Sequence, residues 1–390
     1  MNQGVFTTEQ ITHNLIKVAR AWLDSNYPLR QQAIEMAAPE FCLDPKHFAF
    51  VLDWIFSLWT EEKIREGFDL CRVGRACPQV AHPTSAVQIL AGTTPAMIAQ
   101  GFFQGAILNI PQALKIPSHQ PTFARLLHQS FTETPLGAVD NSTISDETPL
   151  FSALRFSQQP LGSLFTLYCD RSDLSAFYLK LREADWVFAY GRDETMTEIQ
   201  SQLKKDAVFI AHGHAESVAI VFKEAANLHT LEKLAYDFLS YNQRGCLSPL
   251  VTFIEEGGEL SPVACVKVFA EQVLPAVAKQ LPRGGLFAGE AEAILHQRNL
   301  SRFRGPVYCG EDWTVSYDDK QTWPDFALPR FMLFQSFNDT EAFIKRLQPM
   351  QEKLICVGYA GLQTKIERLQ SSLPKLVCEL GSMQKQLLVF

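Results

Sequence analysis

Leu164-Phe165-Thr166-Leu167-Tyr168, a helical stretch from Asp173 to Arg182, Trp186-Val187-Phe188-Ala189-Tyr190, a second helical stretch from Glu194 to Leu203, and Ala207-Val208-Phe209-Ile210 follow one another with short polar connections. The apolar runs are brief, rich in aromatic and β-branched side chains, and bounded by turn residues, which marks buried strands. Strand alternating with amphipathic helix predicts a parallel sheet with right-handed crossovers. Ligands of such a sheet bind outside the carboxyl ends of its strands. Gly191-Arg192-Asp193-Glu194 stands at one such end, just before a helix.

The same rhythm begins upstream. Ala86-Val87-Gln88-Ile89-Leu90-Ala91 reads as a buried strand, running through Gly92-Thr93-Thr94-Pro95 into an amphipathic stretch, Ala96 to Leu108. A small-residue loop of this kind brings backbone N–H groups close to an anion or a carbonyl oxygen. Gln112-Ala113-Leu114-Lys115 is a short strand ending in Lys115-Ile116-Pro117-Ser118, and a helix follows from Phe123 to Phe131. Lys115 is placed either to meet a nucleotide ribose or phosphate or to be a solvated loop lysine. Thr8 to about Glu66 has apolar residues at helical spacing, as in Ile11-Leu15-Val18-Trp22. Cys71 to Thr84 is punctuated by Gly and Pro and reads as irregular, and Pro135 to Thr148 as a loop. There is no Gly-x-Gly-x-x-Gly, so the usual dinucleotide fingerprint is absent.

Downstream, His212-Gly213-His214 follows the third strand of the opening stretch. A histidine there is either an acid/base group or a partner for the strand end. No third ligand is suggestively spaced, so no metal site is expected. Val218 to Phe222 reads as a strand and Leu231 to Leu239 as a helix leading into Tyr241-Asn242-Gln243-Arg244-Gly245-Cys246-Leu247-Ser248-Pro249. Cys246 sits in a Gln-x-x-Cys-x-Ser-Pro turn beside a glycine that leaves backbone N–H groups free to turn toward whatever the sulfur attacks. A thiolate is a strong nucleophile, partly formed at neutral pH even at its ordinary pKa. Beyond Pro249, Leu250 to Ile254, Thr314 to Tyr317, Arg330 to Phe334 and Leu354 to Tyr359 read as strands. Val263 to Leu281, Asp339 to Leu347 and Leu362 to Leu369 read as helices, before a short tail.

Composition narrows the function. The 390 residues are 47% hydrophobic and 20% charged, ordinary for a globular chain of two or three lobes. A net charge of −7 argues against a broad nucleic-acid surface. No uncharged apolar run reaches the ~18 residues of a membrane span, and the N-terminus lacks the basic and apolar regions of a signal peptide. Nine cysteines without a Cys-x-x-Cys pair argue against a zinc cluster or disulfide scaffold and point to a cytoplasmic protein.

Several segments together resemble the luminescence-type long-chain acyl-CoA reductases (fatty acid reductases), a branch of the aldehyde dehydrogenase superfamily. They are Ile89-Leu90-Ala91-Gly92-Thr93-Thr94-Pro95, Leu114-Lys115-Ile116-Pro117-Ser118, Ala184-Asp185-Trp186-Val187-Phe188-Ala189-Tyr190-Gly191, Gln243-Arg244-Gly245-Cys246-Leu247-Ser248-Pro249, Asp312-Trp313-Thr314-Val315 and Leu354-Ile355-Cys356-Val357-Gly358. The resemblance runs from about Glu35 to the C-terminus, and the cysteine segment is its most specific part. It implies an α/β, aldehyde dehydrogenase-like fold with a Rossmann-like cofactor domain, a catalytic domain carrying the cysteine, and a small oligomerisation element. The expected boundaries are a helical part of the cofactor domain over 1–66, a bridging or oligomerisation segment over 67–85, the Rossmann-like domain over 86–211, the catalytic domain over 212–365 and a tail over 366–390.

The resemblance also implies the chemistry. Cys246 would take an acyl group from a long-chain acyl-CoA or an acyl-protein, and NADPH, with NADH as the alternative, would reduce it to a fatty aldehyde. Lys115 and Ser118 would bind the cofactor's adenosine ribose side, Gly191 would line its cleft, and Asp325 would meet the nicotinamide ribose. The implied partners are the acyl donor, an acyl-activating acyl-protein synthetase and further copies of the chain in a homo-oligomer. Thr93 would be an oxyanion donor beside the Cys246 N–H, where the family usually has Asn. His212 stands about where ordinary aldehyde dehydrogenases carry the glutamate that activates water. The absence of that glutamate favours reduction over oxidation, and His212, with His214 as alternate, becomes the candidate to deprotonate Cys246 or protonate the product oxygen. Cys378-Glu379-Leu380-Gly381-Ser382-Met383 resembles the family's ending, without the Pro- and Trp-containing segment that usually follows. Two other functions fit the same fold: a catalytically weak homologue serving an acyl-activating enzyme, and an NAD(P)-dependent aldehyde dehydrogenase.

Overall fold

Five short strands, β1 (Ala86–Ile89), β2 (Gln112–Lys115), β3 (Phe165–Tyr168), β4 (Trp186–Tyr190) and β5 (Val208–His212), form a wholly parallel sheet in the order β3-β2-β1-β4-β5. The computed structural model describes residues 6–72, 83–92, 94–134, 159–320, 323–373 and 376–385. The sheet belongs to the first of two compact units, residues 1–41, 52–214 and 387–390; the second comprises 42–51 and 215–386.

Helices cover the first sheet because its strands are too short and apolar to face water. Pro95–Leu108 and Pro121–Glu133 start with proline at the first turn, where a missing N–H costs nothing. Pro95–Leu108 ends on Asn109 in the left-handed conformation, whose side chain exchanges two hydrogen bonds with the Phe6 backbone. Aromatic rings from well-separated segments build the core. Trp22 stacks on Phe56 at 5.1 Å and meets Phe123 edge-on at 5.4 Å, while Phe102 lies 4.7 Å from Phe165. Trp22 is buried, and its indole N–H donates to Ser130 Oγ at 3.0 Å. The region expected to be helical from Thr8 to Glu66 is several helices: Thr8–Leu23, Pro28–Met36, Pro45–Ser57 and Glu61–Arg72. Pro28 and Pro45 open two of them, since proline cannot continue a helix from within.

The second unit holds a seven-stranded sheet, β12-β11-β6-β7-β10-β9-β8. Its strands are β6 (Glu216–Val221), β7 (Pro249–Glu255), β8 (Val307–Cys309), β9 (Thr314–Tyr317), β10 (Phe331–Phe337), β11 (Leu354–Ala360) and β12 (Leu376–Glu379). All pairings are parallel except the edge pair β8–β9. The β7 and β10 strands are buried along their whole length, as expected for central parallel strands covered on both faces.

Three departures have local causes. The expected continuous helix from Val263 to Leu281 runs as Pro262–Val268, a π turn over Phe269–Val273 and Leu274–Ala278; Pro275 removes an N–H from the ladder and crowds the preceding turn. The third strand of the opening stretch extends past Ile210, so His212 is the last residue of β5 rather than a loop residue. Leu376–Glu379, expected as part of a tail, is an edge strand paired with β11. Residues 73–82, within the segment expected to bridge or oligomerise, and the loop Pro135 to Thr148 lie outside the described residues.

Candidate active site

Cys246 lies on the turn entering β7, at the amino ends of the second sheet's strands. The helix Leu228–Leu239 delivers the chain into this turn, which then reverses through an unusual backbone. Tyr241, Asn242 and Gln243 all have left-handed φ, at 54°, 55° and 60°. None is glycine, so each costs on the order of 1–2 kcal/mol, and surrounding bonds must hold them there.

Those bonds are present. Asn242, fully buried, donates from Nδ2 to the Cys42 carbonyl at 2.7 Å and accepts from Arg330 Nε at 2.8 Å. Gln243 donates to the Pro249 carbonyl at 2.9 Å and accepts from the Phe331 N–H at 2.7 Å. Arg330, itself fully buried with φ at 52°, pairs with Asp312 at 2.5 Å and donates to the Leu281 carbonyl at 2.6 Å. Burial pushes the guanidinium down to about 10, opposed by Asp312, so it stays charged at neutral pH. On the other side, Arg244 makes a bidentate pair with Glu290 at 2.5 and 2.7 Å and stacks over Phe287 at 4.5 Å. Ser217, at a register shift between β6 and β7, donates to the Cys246 carbonyl at 2.6 Å. The cysteine thus sits on a turn fixed from both sides, as a residue of intermediate exposure.

Burial pushes the Cys246 thiol above its ordinary value, while the N–H groups of Cys246 and Leu247 act in the opposite direction. Desolvation wins because those amides carry only partial charge. The same amides are the local donors available to an oxygen that becomes negative as the sulfur adds to a carbonyl. Reaction at Cys246 therefore needs proton removal. Alkylation by iodoacetamide is expected to keep accelerating above about pH 8.5, the ordinary thiol value; a plateau reached below that pH would show a thiolate preformed at rest.

In the first unit, Lys115, Gly191 and His212 lie at the carboxyl ends of β2, β4 and β5. The strand order reverses between β1 and β4, the topological switch point at which such sheets bind ligands. Lys115 is half-buried, and its Nζ donates to the carbonyls of Ile116 at 3.0 Å and Tyr168 at 3.4 Å. Its charge has no carboxylate within 4.0 Å among the described residues. Ser118 is exposed in the turn beyond it. The Gly191 N–H donates to the His212 carbonyl at 3.1 Å. The His212 ring stacks on Tyr190 at 4.5 Å with planes 6° apart, and burial keeps it below its ordinary pKa, hence neutral at pH 7. Its Nε2 is buried without a hydrogen-bond partner among the described residues. His214 is exposed, and its backbone N–H donates to Asp193 Oδ1 at 3.0 Å; any side chain at Gly213 would strike that carboxylate.

The sequence-derived residues thus divide. Lys115, Ser118, Gly191, His212 and His214 belong to the first unit, and Cys246 and Asp325 to the second. Asp325 is exposed on the segment between β9 and β10. Thr93 lies outside the described residues. Among the described residues, the Lys115 cation has no carboxylate partner and His212 Nε2 no hydrogen-bond partner; the two fit a ligand carrying ribose hydroxyls and phosphate, as a nicotinamide dinucleotide does. Sequence reasoning missed Arg330, Asn242 and Gln243 as supports of the cysteine turn. The signal for Arg330 was a lone charge between Pro329 and the wholly apolar start of β10.

A family model described as acyl-CoA reductase (LuxC) matches residues 84–387, well over half of the chain. Among solved structures, PnpE from Pseudomonas sp. WBC-3 is similar at a TM-score of 0.65 and 11% identity, over 96% of this chain and 77% of that one. Aldehyde dehydrogenase 21 from Physcomitrella patens, in complex with succinate, is similar at 0.63 and 12% identity, over 96% and 78%. An NADP dependent enzyme of E. coli is similar at 0.63 and 14% identity, again over 96% and 78%. At these identities the likeness is one of fold, and the fold is aldehyde dehydrogenase-like. No curated protein sequence matches the chain.

Proposed function

The chain belongs to the acyl-CoA reductase (LuxC) family, and from that premise we propose that it reduces a long-chain fatty acyl thioester to the fatty aldehyde, using NADPH, through an acyl group held on Cys246. The family match carries this reading, because residues 84–387 include the Cys246 turn, both sheets, and Asn242, Gln243 and Arg330, which support the turn.

The Cys246 sulfur, once deprotonated, adds to the carbonyl of the acyl donor. The Cys246 and Leu247 N–H groups steady the oxyanion, and collapse expels the donor thiolate and leaves an acyl-cysteine thioester. A bound nicotinamide cofactor supplies hydride. When the acyl carbon receives it, the oxygen takes up a proton, and the thiohemiacetal releases aldehyde and restores the cysteine. His212, neutral near pH 7, is the proposed proton-transfer group, with His214 as its alternate. Lys115, Ser118 and Gly191 are the proposed cofactor residues, and Asp325 the proposed contact to the nicotinamide ribose. A thioester carbonyl accepts hydride far more readily than a carboxylate, which is why holding the acyl group on sulfur favours reduction. The proposed assembly is a homo-oligomer served by an acyl-activating enzyme.

The test supplies acyl-CoA of graded chain length with NADPH or NADH and measures aldehyde. Aldehyde formed fastest from long chains with NADPH supports the reading. Aldehyde oxidised to free acid with no thioester reduction would overturn it. Lys115→Ala is expected to weaken NADPH binding, followed by cofactor fluorescence, by about tenfold or more, the scale of a lost charged hydrogen bond. An unchanged NADPH affinity would remove Lys115 from the site.

A further inference from the structure

Asp237 is a carboxylate with no exposure, on the helix that feeds the Cys246 turn. A buried carboxylate is costly unless donors surround it. Its donors come from the C-terminal turn: the Gly381 N–H at 2.5 Å and the Met383 N–H at 3.1 Å. Gly381 makes that approach possible with a φ of 85°. Met383 is buried, and its sulfur packs where Gly358 of β11 leaves no room for a Cβ. The next residue, Gln384, is buried and donates from Nε2 to the Asp237 carbonyl at 3.4 Å and to Ser248 Oγ at 3.0 Å. Ser248 in turn closes the cysteine turn, its N–H donating to the Gly245 carbonyl at 2.9 Å. A continuous hydrogen-bonded path therefore runs from the C-terminal turn through Ser248 to the Gly245 carbonyl, beside Cys246.

We infer that Asp237 and Gln384 are positioning residues for Cys246: Asp237 seats the turn Gly381 to Lys385, and Gln384 transmits that seating to the nucleophile turn through Ser248. The inference rests on Cys246 being the nucleophile proposed above. Each carboxyl oxygen accepts from one amide, Oδ2 from Gly381 and Oδ1 from Met383, and a protonated carboxyl keeps acceptor capacity for both. Burial pushes Asp237 up to about 7, against the two amides, Lys385 and a further bond from Gln384. The other groups facing this site are Lys233, whose side chain lies against Gly381, and the Cys356 thiol on β11. Because burial raises the Asp237 pKa, the seated turn holds the proton more tightly than a released one would, so seating is firmest below about pH 7 and weakens above it.

Two readouts on wild type, Asp237→Asn and Gln384→Ala test this. The first is the pH profile of iodoacetamide alkylation at Cys246, which needs no acyl substrate. Wild type is expected to show an inflection near about pH 7 on top of the thiol's own rise, absent from both variants. The second is the limiting rate of Cys246 acylation by acyl-CoA, expected to fall by about tenfold in Gln384→Ala with half-saturation unmoved, the scale of one lost hydrogen bond. Gln384→Ala serves if Asp237→Asn fails to fold. Alkylation profiles that superimpose for wild type and Gln384→Ala would overturn the inference. A wild type that alkylates with the inflection but is never acylated would instead overturn the proposed reaction and leave the positioning intact.

Discussion

Cys246→Ala is expected to lower acyl thioester reduction by at least about 10³-fold, because removing a covalent nucleophile removes the pathway itself. The fold should survive. The turn is held by the backbone and by Ser217, Asn242 and Gln243, and none of those bonds uses the thiol. The cost in stability is expected within about 1 kcal/mol, the range of changes that break no named contact, and thermal melting checks it. Cys246→Ser should be nearly as inactive, since a hydroxyl in the same turn is far harder to ionise than a thiol. Retained turnover in the alanine variant, with an intact melt, would move the chemistry to another residue.

The second large effect is on stability. Arg330→Met is expected to cost about 3–5 kcal/mol, the usual result of breaking one side of a buried ion pair. The guanidinium has no exposure and serves Asp312, Asn242 and the Leu281 carbonyl together. Methionine matches the length of the stem but leaves Asn242 Oδ1 and the Leu281 carbonyl without this donor, and leaves Asp312 the Arg283 N–H in place of the guanidinium. It also frees Asn242, so the left-handed run before Cys246 loses a fastening. Arg330→Lys keeps the charge but not the fork, and should recover only part of the loss. Urea unfolding measures both, and a Met variant within about 1 kcal/mol of wild type would show that Arg330 is not the hub described here.

Much of the fold was legible because each strand of the first sheet is a brief apolar run set between helix signals. Trp186 to Tyr190 and Ala86 to Ile89 could hardly be anything else, and both are strands. Cys246 was legible for a different reason: Gly245, Ser248 and Pro249 mark a turn, and only one of the nine cysteines sits in one like it. What the sequence hid is long-range. Arg330 reaches Asn242 across 88 positions, and Met383 reaches Asp237 across 146; no local pattern encodes such pairs. The left-handed run at Tyr241, Asn242 and Gln243 was hidden as well, because glycine usually signals that conformation and none of the three is glycine. The edge strand Leu376–Glu379 was passed over as a tail because it is short and ends in an exposed glutamate. A carboxylate among apolar neighbours, as in Tyr236-Asp237-Phe238, was the one visible hint of the buried clamp.

The most direct measurement is the intact mass of the protein after mixing with a long-chain acyl-CoA, wild type beside Cys246→Ala, before and after NADPH. The account predicts a gain of one acyl group on wild type alone, discharged when NADPH is added as aldehyde appears. An equal gain on the alanine variant, or no gain on wild type across chain lengths and donors, would contradict it.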